Sequence, residues 1–436
     1  MKSSAQREAV QTKVAVIGGG YVGLPTAGVL AKFGHRVVLA ERDHLRLRSL
    51  RDGKSPHFEL GLEALMNEGV VNGRLNFVSE GTEAVEDAEV IFICVPTPQG
   101  DGGATDLSFL MEAALSIGPK LRENAILVIK STVPVGTAER VADALGRPDV
   151  SIVSNPEFLS TGTAVAESLH PERIVVGAKD RDVAQRVASL FEETEAPVVI
   201  TNNATAETIK YAANAFLAVR LSFSNEVSRF CERVGGNVVD LLQGLGYDHR
   251  IGFSYMQPGP GWGGSCLPKD TASLSIMGKE NNFEFSVLDS AISSNNAQVE
   301  HIAQTIVARV SDDTERVIGV WGLTFKAGTD DRRNSPALNV VKRLLELGFV
   351  LRAYDPTVTS GGAPDLDGIE ILSDPYDAAR GAALVVLLTE WPEFRELDWT
   401  KIRDVMERAI IYDTRNILNR ETILNRGLEY CSVGTV

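Results

Sequence analysis

"KVAVIGGGYVGLPTAGVLAKFGHRVVLAER", residues 13–42, has the pattern of a strand, a glycine turn, a helix and a second strand. Apolar residues run through Val14–Ile17 without alternating with polar ones, which is typical of a strand buried on both faces. A helix of small residues follows from Gly23 to Phe33, and Gly34 ends it. RVVLAE then forms a second buried strand, so the stretch predicts a βαβ unit.

The glycines of this stretch have the spacing of a dinucleotide-binding loop. Gly18 allows the tight turn, Gly20 lets a pyrophosphate approach the backbone, and Gly23 lets the helix pack close to the strand. Glu41, at the end of the second strand, would bind the ribose hydroxyls and repel a 2′-phosphate, which predicts NAD rather than NADP. The neighbouring Arg42 weakens the exclusion of NADP, and a purely structural glycine turn is the alternative.

The rest of the chain continues in three parts. Short apolar runs alternate with helical segments and predict one parallel sheet that extends to about residue 200. The runs are VIFICVP (90–96), AILVIKST (125–132) and SIVSNPEF (151–158). A helical pattern occupies residues 205–235, and strand signals return only with RVIGVWGLTFK at 316–326. The predicted fold class is α/β, with two Rossmann-like parallel-sheet domains joined by a central helical region with a long helix. The predicted domains are 1–205, 206–305 and 306–436.

Composition limits the possible functions. The chain has 436 residues and a formal net charge of -15, which speaks against a general role at nucleic acids or membrane surfaces, because phosphate binding favours a basic face. Its four cysteines show no paired spacing, so we expect neither a zinc motif nor a disulfide framework, no metal, and a reducing cytoplasmic location. No secretory signal is visible in MKSSAQREAVQT, and no apolar run reaches the about 18 residues of a membrane span.

One cysteine stands in a charged, glycine-rich segment, GPGWGGSCLPKD, residues 259–270. Most cysteines are buried, inert thiols. Here the preceding glycines leave backbone amides able to approach a ligand, and Lys269 is near enough in sequence to Cys266 to favour a thiolate. The segment therefore predicts a catalytic Cys266, with a packed thiol as the alternative.

Three further segments carry groups suited to a binding or catalytic site. Lys210 and Asn214 lie four residues apart on a predicted helix and hence on one face. Glu157 follows a strand end, where ligands bind in parallel sheets. Lys326 and Arg333 of GLTFKAGTDDRRNSP could neutralise phosphate. The alternatives are a solvated helix face, an exposed glutamate and a charged surface loop.

Taken together, the segments resemble the UDP-glucose/GDP-mannose dehydrogenase family of nucleotide-sugar dehydrogenases. The resemblance covers residues 13–420 and rests, in order, on GGGYVGLP, VPTPQ, KSTVPVGT, NPEF, YAANAFLA, PGPGWGGSCLPKD and GLTFKAGTDDRRNSP. It implies an NAD-dependent four-electron oxidation of the C6 alcohol of a nucleoside-diphosphate sugar. Cys266 would add to the aldehyde, a second oxidation would give a thioester, and water would release the acid. A thiol suits this chemistry because a thioester is an activated acyl group.

The resemblance also implies roles for single residues. Lys210 and Asn214 would hold the reacting oxygen, and Asp270 and Glu157 would activate water and exchange protons. The implied cofactor contacts are Gly18, Gly20, Tyr21, Val22, Gly23, Glu41, Arg46, Thr97, Ser131, Thr132, Lys269 and Arg333. The implied substrate contacts are Glu157, Phe158, Leu159, Lys210, Asn214, Arg250, Tyr255, Met256, Gln257, Gly259, Gly263, Phe325, Lys326 and Arg415. Arg250 would reach the substrate of a neighbouring subunit in a homodimer or a higher homo-oligomer. The three domains would bind NAD, dimerise and bind the nucleotide sugar.

The substrate stays open at this point. UDP-glucose, oxidised to UDP-glucuronate, is favoured. Thr161 stands where many family members have a second glutamate, and FSYMQPGPGW differs from the commoner versions near the base. These differences keep dTDP-glucose, in a secondary-metabolite pathway, as an alternative, and GDP-mannose as a weaker one. UDP-N-acetylmannosamine dehydrogenases usually have a histidine just before the cysteine. This chain has Ser265 at that position, which speaks against this class of enzyme. Two other classes are a non-catalytic nucleotide-sugar binder and a two-electron alcohol dehydrogenase; the intact Cys266 speaks against both.

Overall fold

The computed structural model describes residues 11–57, 59–310, 317–359 and 364–435. The chain divides into two compact units, Met1–Ala212 and Ala213–Val436. The prediction that the N-terminal segment MKSSAQREAVQT is not a secretory signal concerns mostly residues 1–10. These residues lie outside the described residues. Among the helices of the described ranges, none combines the length and the apolarity that a membrane crossing requires.

The first unit contains one eight-stranded sheet with helices on both of its faces. Its strands are β1 (Lys13–Ile17), β2 (Arg36–Ala40), β3 (Leu75–Val78), β4 (Val90–Ile93), β5 (Ile126–Ile129), β6 (Ser151–Ser154), β7 (Ile174–Ala178) and β8 (Val198–Thr201). Its helices are α1 (Gly23–Lys32), α2 (His44–Arg51), α3 (Leu62–Val71), α4 (Gly81–Val85), α5 (Ser108–Ile117), α6 (Thr137–Leu145), α7 (Ala164–Leu169), α8 (Arg181–Ser189) and the first part of α9 (Asn203–Val234). Short 3-10 turns lie at Asp101–Gly103, Gly118–Lys120 and Glu192–Thr194.

The strand order of this sheet is β3-β2-β1-β4-β5-β6-β7-β8. In its central register, Val14 lies beside Val37 on one side and Val90 on the other. Apolar clusters cover both faces of these strands, which is why β1, β4 and β5 are apolar without alternation. The first six strands follow the order of a doubly wound dinucleotide-binding fold, in which ligands bind at the carboxyl ends of the strands.

One detail of the predicted sheet is wrong. Residues up to the end of β8 were expected to extend a wholly parallel sheet, but β7 pairs antiparallel with β6, with Val153 opposite Ala178. β8 then pairs parallel with β7. An apolar strand buried on both faces has the same residue pattern in either direction, so the sequence IVVGA does not indicate which way β7 runs.

The second unit contains a six-stranded sheet and the central helices. Its strands are β9 (Val317–Trp321), β10 (Val350–Tyr354), β11 (Ile369–Ile371), β12 (Leu384–Leu387), β13 (Ile410–Asp413) and β14 (Glu429–Ser432). Its helices are the rest of α9, α10 (Val238–Gly246), α11 (Leu267–Glu280), α12 (Ser286–Val310), α13 (Pro336–Glu346), α14 (Pro375–Ala379), α15 (Trp399–Val405) and α16 (Arg420–Asn425). Short 3-10 turns lie at Pro364–Leu366 and Pro392–Glu396.

The second sheet repeats the strand order of the first. The order is β11-β10-β9-β12-β13-β14, and every pair between these strands is parallel. Two Rossmann-like sheets with helices α9–α12 between them along the chain confirm the predicted fold class. The predicted boundaries at 205/206 and 305/306 fall inside α9 and α12, and the division into three domains stays a prediction.

Candidate active site

The turn between β1 and α1 requires glycine for steric reasons. Gly18 has a φ of 103°, and a Cβ there would lie 2.8 Å from the carbonyl oxygen of Cys94. A Cβ at Gly23 would lie 1.8 Å from the carbonyl oxygen of Gly18, so only glycine lets α1 approach the turn this closely. At Gly20, by contrast, no described atom lies within 4 Å of the Cβ position. The backbone at Gly20 therefore faces space that a phosphate group can enter.

Glu41 is held beside this turn by two backbone donors. It is 5% exposed, and its Oε2 accepts a hydrogen bond from the Gly19 N–H at 3.1 Å. Its Oε1 accepts one from the Asp43 N–H at 2.9 Å. A carboxylate has about four lone-pair sites, so acceptor capacity is left for ribose hydroxyls. Arg42 faces elsewhere, with its guanidinium 3.7 Å from the Glu112 carboxylate.

Most of the other residues predicted to contact the cofactor lie in the first unit, whereas Lys269 and Arg333 belong to the second unit. Thr97 donates its hydroxyl to the carbonyl of Thr132 at 2.8 Å, and Ser131 donates to the carbonyl of Val95 at 2.6 Å. These bonds join the chain ends that leave β4 and β5. Tyr21 stacks on His57, a residue that the sequence did not single out, with ring centroids 4.2 Å apart. Arg46 is exposed on α2, and Val22 is partly buried.

Lys210 and Glu157 form a buried ion pair in the first unit. The Lys210 Nζ lies 2.9 Å from the Glu157 Oε1, with the side chains 4% and 8% exposed. The Glu157 Oε2 accepts a short hydrogen bond from the Leu159 N–H. Burial by itself would raise the pKa of Glu157, but Lys210, this N–H and Lys130 together hold it below its ordinary value. These interactions favour the ionised form of Glu157.

Several partners of this pair were missed in the sequence. Lys130, just after β5, is 8% exposed and donates to the Asn155 Oδ1 at 3.1 Å. Burial lowers the pKa of Lys130, and burial raises that of Cys94 to about 12. Arg173 lies over the ring of Phe158, 3.7 Å from its centroid. The available signal was a lone cation at the end of an apolar run, in AILVIKST.

Glu207, one turn before Lys210 on α9, was also missed. It is 2% exposed, and it accepts hydrogen bonds from the N–H groups of Gly136 at 2.7 Å and Ala138 at 3.0 Å. The Ser154 hydroxyl donates to it at 3.1 Å. Glu207 thus caps the N-terminus of α6 from another helix. Burial raises the pKa of Glu207 to about 7, against these hydrogen bonds, which favour the ionised form.

In the second unit, Asn214 and Asp270 are joined directly. The Asn214 Nδ2 donates to the Asp270 Oδ2 at 2.6 Å, and the Lys269 ammonium pairs with the other carboxylate oxygen. Asp270 is 1% exposed, so its charge is compensated by these two groups rather than by water. Lys269 was predicted to favour a Cys266 thiolate; in this structure its ammonium faces Asp270.

Cys266 is the N-cap residue of α11 and its side chain is exposed. The other cysteines, Cys94, Cys231 and Cys431, are buried. The N–H groups and dipole of a helix N-terminus favour a thiolate. The Ser265 hydroxyl lies 3.7 Å from the Cys266 sulfur. Among the described residues, no group of three or more His, Cys, Asp or Glu side chains is placed to hold a metal ion.

Some predicted substrate contacts meet around Arg415. Its Nη2 donates to the carbonyl of Phe325 at 3.3 Å, and a Cβ on Gly259 would lie 3.0 Å from its Nη1. The Lys326 ammonium lies 5.9 Å from the Phe325 ring centroid. Of the segment before Gly259, Met256 is buried, whereas Tyr255 and Gln257 are exposed. Arg250 and Arg333 instead form ion pairs with the nearby Asp248 and Asp331.

Comparisons with known proteins place the sequence in one family. The sequence matches three domains of the UDP-glucose/GDP-mannose dehydrogenase family: the NAD binding domain over residues 12–195, the central domain over 204–297 and the UDP binding domain over 319–420. A UDP-glucose 6-dehydrogenase of Rhizobium meliloti (strain 1021) is 39% identical over an alignment of 434 residues, and the match covers 97% of this chain and 99% of that protein.

Solved structures show the same likeness. The structure of a UDP-glucose dehydrogenase from the hyperthermophilic archaeon Pyrobaculum islandicum matches with a TM-score of 0.90 and 32% identity, covering 99% of both chains. That of a UDP-D-ManNAc dehydrogenase from Pyrococcus horikoshii matches with a TM-score of 0.85 and 28% identity, covering 97% of this chain and 99% of the other.

The doubly wound fold with its glycine turn and fixed acid defines an NAD-dependent dehydrogenase. The chain belongs to the UDP-glucose/GDP-mannose dehydrogenase family. Membership confirms the family resemblance, NAD as the cofactor and a nucleotide sugar as the class of substrate. The roles of single site residues stay predictions.

Proposed function

We propose that this enzyme oxidises the C6 alcohol of UDP-glucose to the carboxylate of UDP-glucuronate, using two NAD per sugar. The observation that carries the proposal is Cys266, an exposed thiol at the N-terminus of α11, in a chain whose other cysteines are buried. An oxidation that stopped at the aldehyde would need no thiol. The names of similar proteins, UDP-glucose 6-dehydrogenase and UDP-glucose dehydrogenase, support this choice of reaction.

The cofactor fits the glycine turn of the first unit. Gly20 offers open space and backbone for the pyrophosphate, and Glu41 offers acceptors for the ribose. Thr97, Ser131 and Thr132 add polar groups at the ends of β4 and β5. When bound, NAD accepts the hydride of each oxidation. The covalent and proton-transfer steps of the proposed reaction depend on side chains of the protein.

The proposed chemistry runs through a covalent bond to the thiol. The alcohol loses a hydride to the cofactor and its hydroxyl proton to solvent water to become an aldehyde. The Cys266 thiolate then adds to the carbonyl carbon to give a thiohemiacetal alkoxide. Loss of a second hydride gives the thioester, and attack of water breaks the C–S bond, which releases the acid and regenerates the thiol. Lys210 and Asn214 hold the reacting oxygen, since the amide of Asn214 keeps a second N–H while donating one to Asp270.

Two buried carboxylates have distinct roles in the proposal. In the resting enzyme Glu157 is ionised and fixes the Lys210 ammonium, so a positive charge faces the developing oxyanion. It is also proposed to exchange protons during hydrolysis of the thioester. Asp270 orients Asn214 and takes a proton from the attacking water. Phe158, Leu159, Lys326, Arg415 and the segment Tyr255–Gly259 with Gly263 are proposed to hold the nucleotide sugar.

The proposal includes a homodimer formed through α9. Phe216, Phe223 and Phe230 are spaced seven residues apart on this helix and are 62%, 51% and 61% exposed. Such spacing places them on one face, and a contiguous exposed aromatic stripe is typical of an interface. A second copy of the chain is the proposed occupant. Arg250 is likewise exposed and is proposed to reach the substrate of the partner subunit.

The roles of the three domains and the cellular location complete the proposal. The domains 1–205, 206–305 and 306–436 are proposed to bind NAD, to dimerise and to bind the nucleotide sugar. The matches to an NAD binding, a central and a UDP binding domain support these roles. The location is the cytoplasm, because Cys94, Cys231 and Cys431 are buried, reduced thiols rather than parts of a disulfide framework.

The experiment that tests the function counts NADH per sugar. The purified enzyme and excess NAD are incubated separately with limiting UDP-glucose, dTDP-glucose, GDP-mannose and UDP-N-acetylmannosamine. We expect two NADH per UDP-glucose, with a uronic acid as product. One NADH per sugar with free aldehyde would contradict the thioester route. Faster turnover of dTDP-glucose would instead assign that substrate, and Thr161 would be the first residue to exchange for glutamate.

A further inference from the structure

Side-chain amides from two helices hold the glycine loop, residues 259–264, that leads to Cys266. Asn225 of α9 accepts at Oδ1 from the Gly259 N–H at 2.8 Å. Gln298 of α12 donates from Nε2 to the Gly259 carbonyl at 2.9 Å. Asn225 and Gln298 are 2% and 0% exposed. Both backbone polar groups of Gly259 are thus bonded to buried side chains and not to another stretch of backbone.

Asn295 of α12 does the same for Trp262. Its Oδ1 accepts from the Trp262 N–H at 2.8 Å, and its Nδ2 donates to the Trp262 carbonyl at 3.0 Å. The Trp262 indole N–H donates to the Ser222 hydroxyl at 2.9 Å. We name Asn225, Asn295 and Gln298 the amide clamp. A single amide that satisfies both backbone groups of one residue fixes its peptide planes as a neighbouring strand would.

The orientation of the clamp is itself fixed. Arg229 donates from Nη1 to the Gln298 Oε1 at 2.7 Å, which leaves the Gln298 Nε2 to face Gly259. On the far side, the glycine loop is closed by the second Rossmann-like domain. A Cβ at Gly263 would lie 2.1 Å from the Asn334 carbonyl oxygen, and one at Gly264 would lie 2.9 Å from the Phe325 ring. The loop therefore has no room to shift towards that domain.

This arrangement answers a need created by the glycines. Glycine loses more conformational freedom on ordering than any other residue, and this segment contains four glycines and no helix or strand. This segment nevertheless sets the position of the N-terminus of α11, and therefore the position of Cys266. Gly259 ends the predicted substrate segment, and Trp262 precedes Cys266 by four residues.

We propose that the amide clamp positions the Cys266 thiol for attack, so that Asn225, Asn295 and Gln298 are positioning residues for the reaction. This proposal rests on the proposed nucleophilic role of Cys266. The clamp residues do not touch the reacting atoms; they act through Gly259 and Trp262. The prediction is that loosening the clamp misplaces the thiol while the cofactor site of the first unit keeps its properties.

The test compares Asn295→Ala with Asn296→Ala, which removes the same side chain from the next, exposed position of α12. Native enzyme is labelled with iodoacetamide over a pH series, and the peptide containing Cys266 is quantified by mass spectrometry. We expect N295A to change the labelling rate and its pH profile, and to lower kcat by about 10- to 100-fold, the loss typical of a misplaced reacting group. KM for NAD should stay within about twofold, because uniform cofactor binding is retained. N296A should match the wild type in all three.

Asn295→Asp gives a readout that a purely structural role would not produce. The new carboxylate can accept from the Trp262 N–H but repels the Trp262 carbonyl, whereas its protonated form can donate to that carbonyl. The activity of N295D relative to N295A should therefore rise as the pH falls. Gln298→Met, which keeps the side-chain length, replaces N295A if melting curves show that N295A does not fold.

Folded N295A or Q298M enzyme with wild-type labelling and wild-type kcat would overturn the clamp proposal. This failure of the clamp proposal can be distinguished from a failure of the proposed function. If Cys266→Ser were active, the nucleophilic role would be wrong, yet the labelling rates would still report whether the clamp sets the position of the thiol.

Discussion

Lys210 and Glu157 approach to 2.9 Å where both side chains are almost wholly withdrawn from water, at 4% and 8% exposure. A buried pair of this kind is expensive to break, because removing one partner leaves the other charge without compensation. The pair also joins α9 to the chain after β6, so it fixes the ammonium that is proposed to face the reacting oxygen.

A double-mutant cycle tests this pair. Glu157→Gln and Lys210→Met should each destabilise the protein by about 3–5 kcal/mol, and the double variant by clearly less than their sum. Urea midpoints of the four proteins measure the coupling. The exposed pair Lys13–Asp87, at 46% and 81% exposure, is the control and should show no measurable coupling. Additive losses at Glu157 and Lys210 would contradict the compensated pair.

The fold was predictable from the sequence because the constraints that produce it are local. Gly18 and Gly23 are required by the contacts that a Cβ would make with neighbouring backbone, whereas Gly20 leaves open space at the turn. The reversal of β7 was not predictable, since a strand buried on both faces has no directional pattern.

The candidate site was predictable only in part, for a related reason. Cys266 stood out by its setting, whereas Glu207 and Gln298 each sit in an ordinary helical pattern. Their roles depend on partners far away in sequence. Glu207 bonds to the Gly136 N–H at a separation of 71 residues, and Gln298 bonds to the Gly259 carbonyl at a separation of 39 residues. Composition and period report which face is buried, but not which distant backbone group a buried amide or carboxylate meets.

The cofactor preference should depend on Glu41. The wild type should prefer NAD, and Glu41→Gln should shift the NAD to NADP ratio of kcat/KM by a factor of about 5 to 1000, the effect of about 1 to 4 kcal/mol of repulsion between two charges. Glutamine keeps an acceptor for the Gly19 N–H. Arg42→Ala is the control, and it should change the ratio little because Arg42 lies beside Glu112 and Phe109. Equal kcat/KM with NADP in the wild type would refute the role of Glu41.

The aromatic stripe on α9 predicts an oligomer. Phe223→Asp should convert the protein to a monomer in sedimentation equilibrium, because a charge in the middle of an apolar interface cannot be desolvated without a partner. Val71→Asp, at a position 84% exposed on α3, is the control for adding a charge and should leave the mass unchanged. A wild-type monomer, or an F223D variant of unchanged mass, would remove the stripe as the interface.

Glu207 should make stability depend on pH. Its folded pKa of about 7 lies above the ordinary value for glutamate, so its stabilising contribution is fully present below that ordinary value and is lost as pH rises through 7. Between pH 4.5 and pH 7, the wild type should lose up to about 3 kcal/mol relative to Glu207→Gln. Urea midpoints of both proteins across this range measure the difference. Parallel curves of urea midpoint against pH for the two proteins would show that burial does not raise the pKa of Glu207.

Cys266→Ser should abolish turnover without abolishing substrate binding. A hydroxyl is a poor nucleophile and a poor leaving group compared with a thiol, so both formation and hydrolysis of the acyl intermediate slow down. Turnover should fall by about 10⁴-fold or more, the scale seen when a nucleophile is removed from a catalytic unit. Calorimetry should still show the nucleotide sugar binding, since Lys326 and Arg415 are unchanged.

The buried cysteines provide the matched controls for that variant. Cys231→Ser and Cys94→Ala alter thiols that are 2% and 6% exposed, and we expect lower stability with activity largely retained. The pKa of Cys94 is raised to about 12 by burial, so this thiol stays protonated and unreactive near neutral pH. Near-normal turnover of C266S would rule out the covalent route. Turnover lost equally in all three variants would instead point to a general loss of folded enzyme, which the melting curves of each variant would reveal.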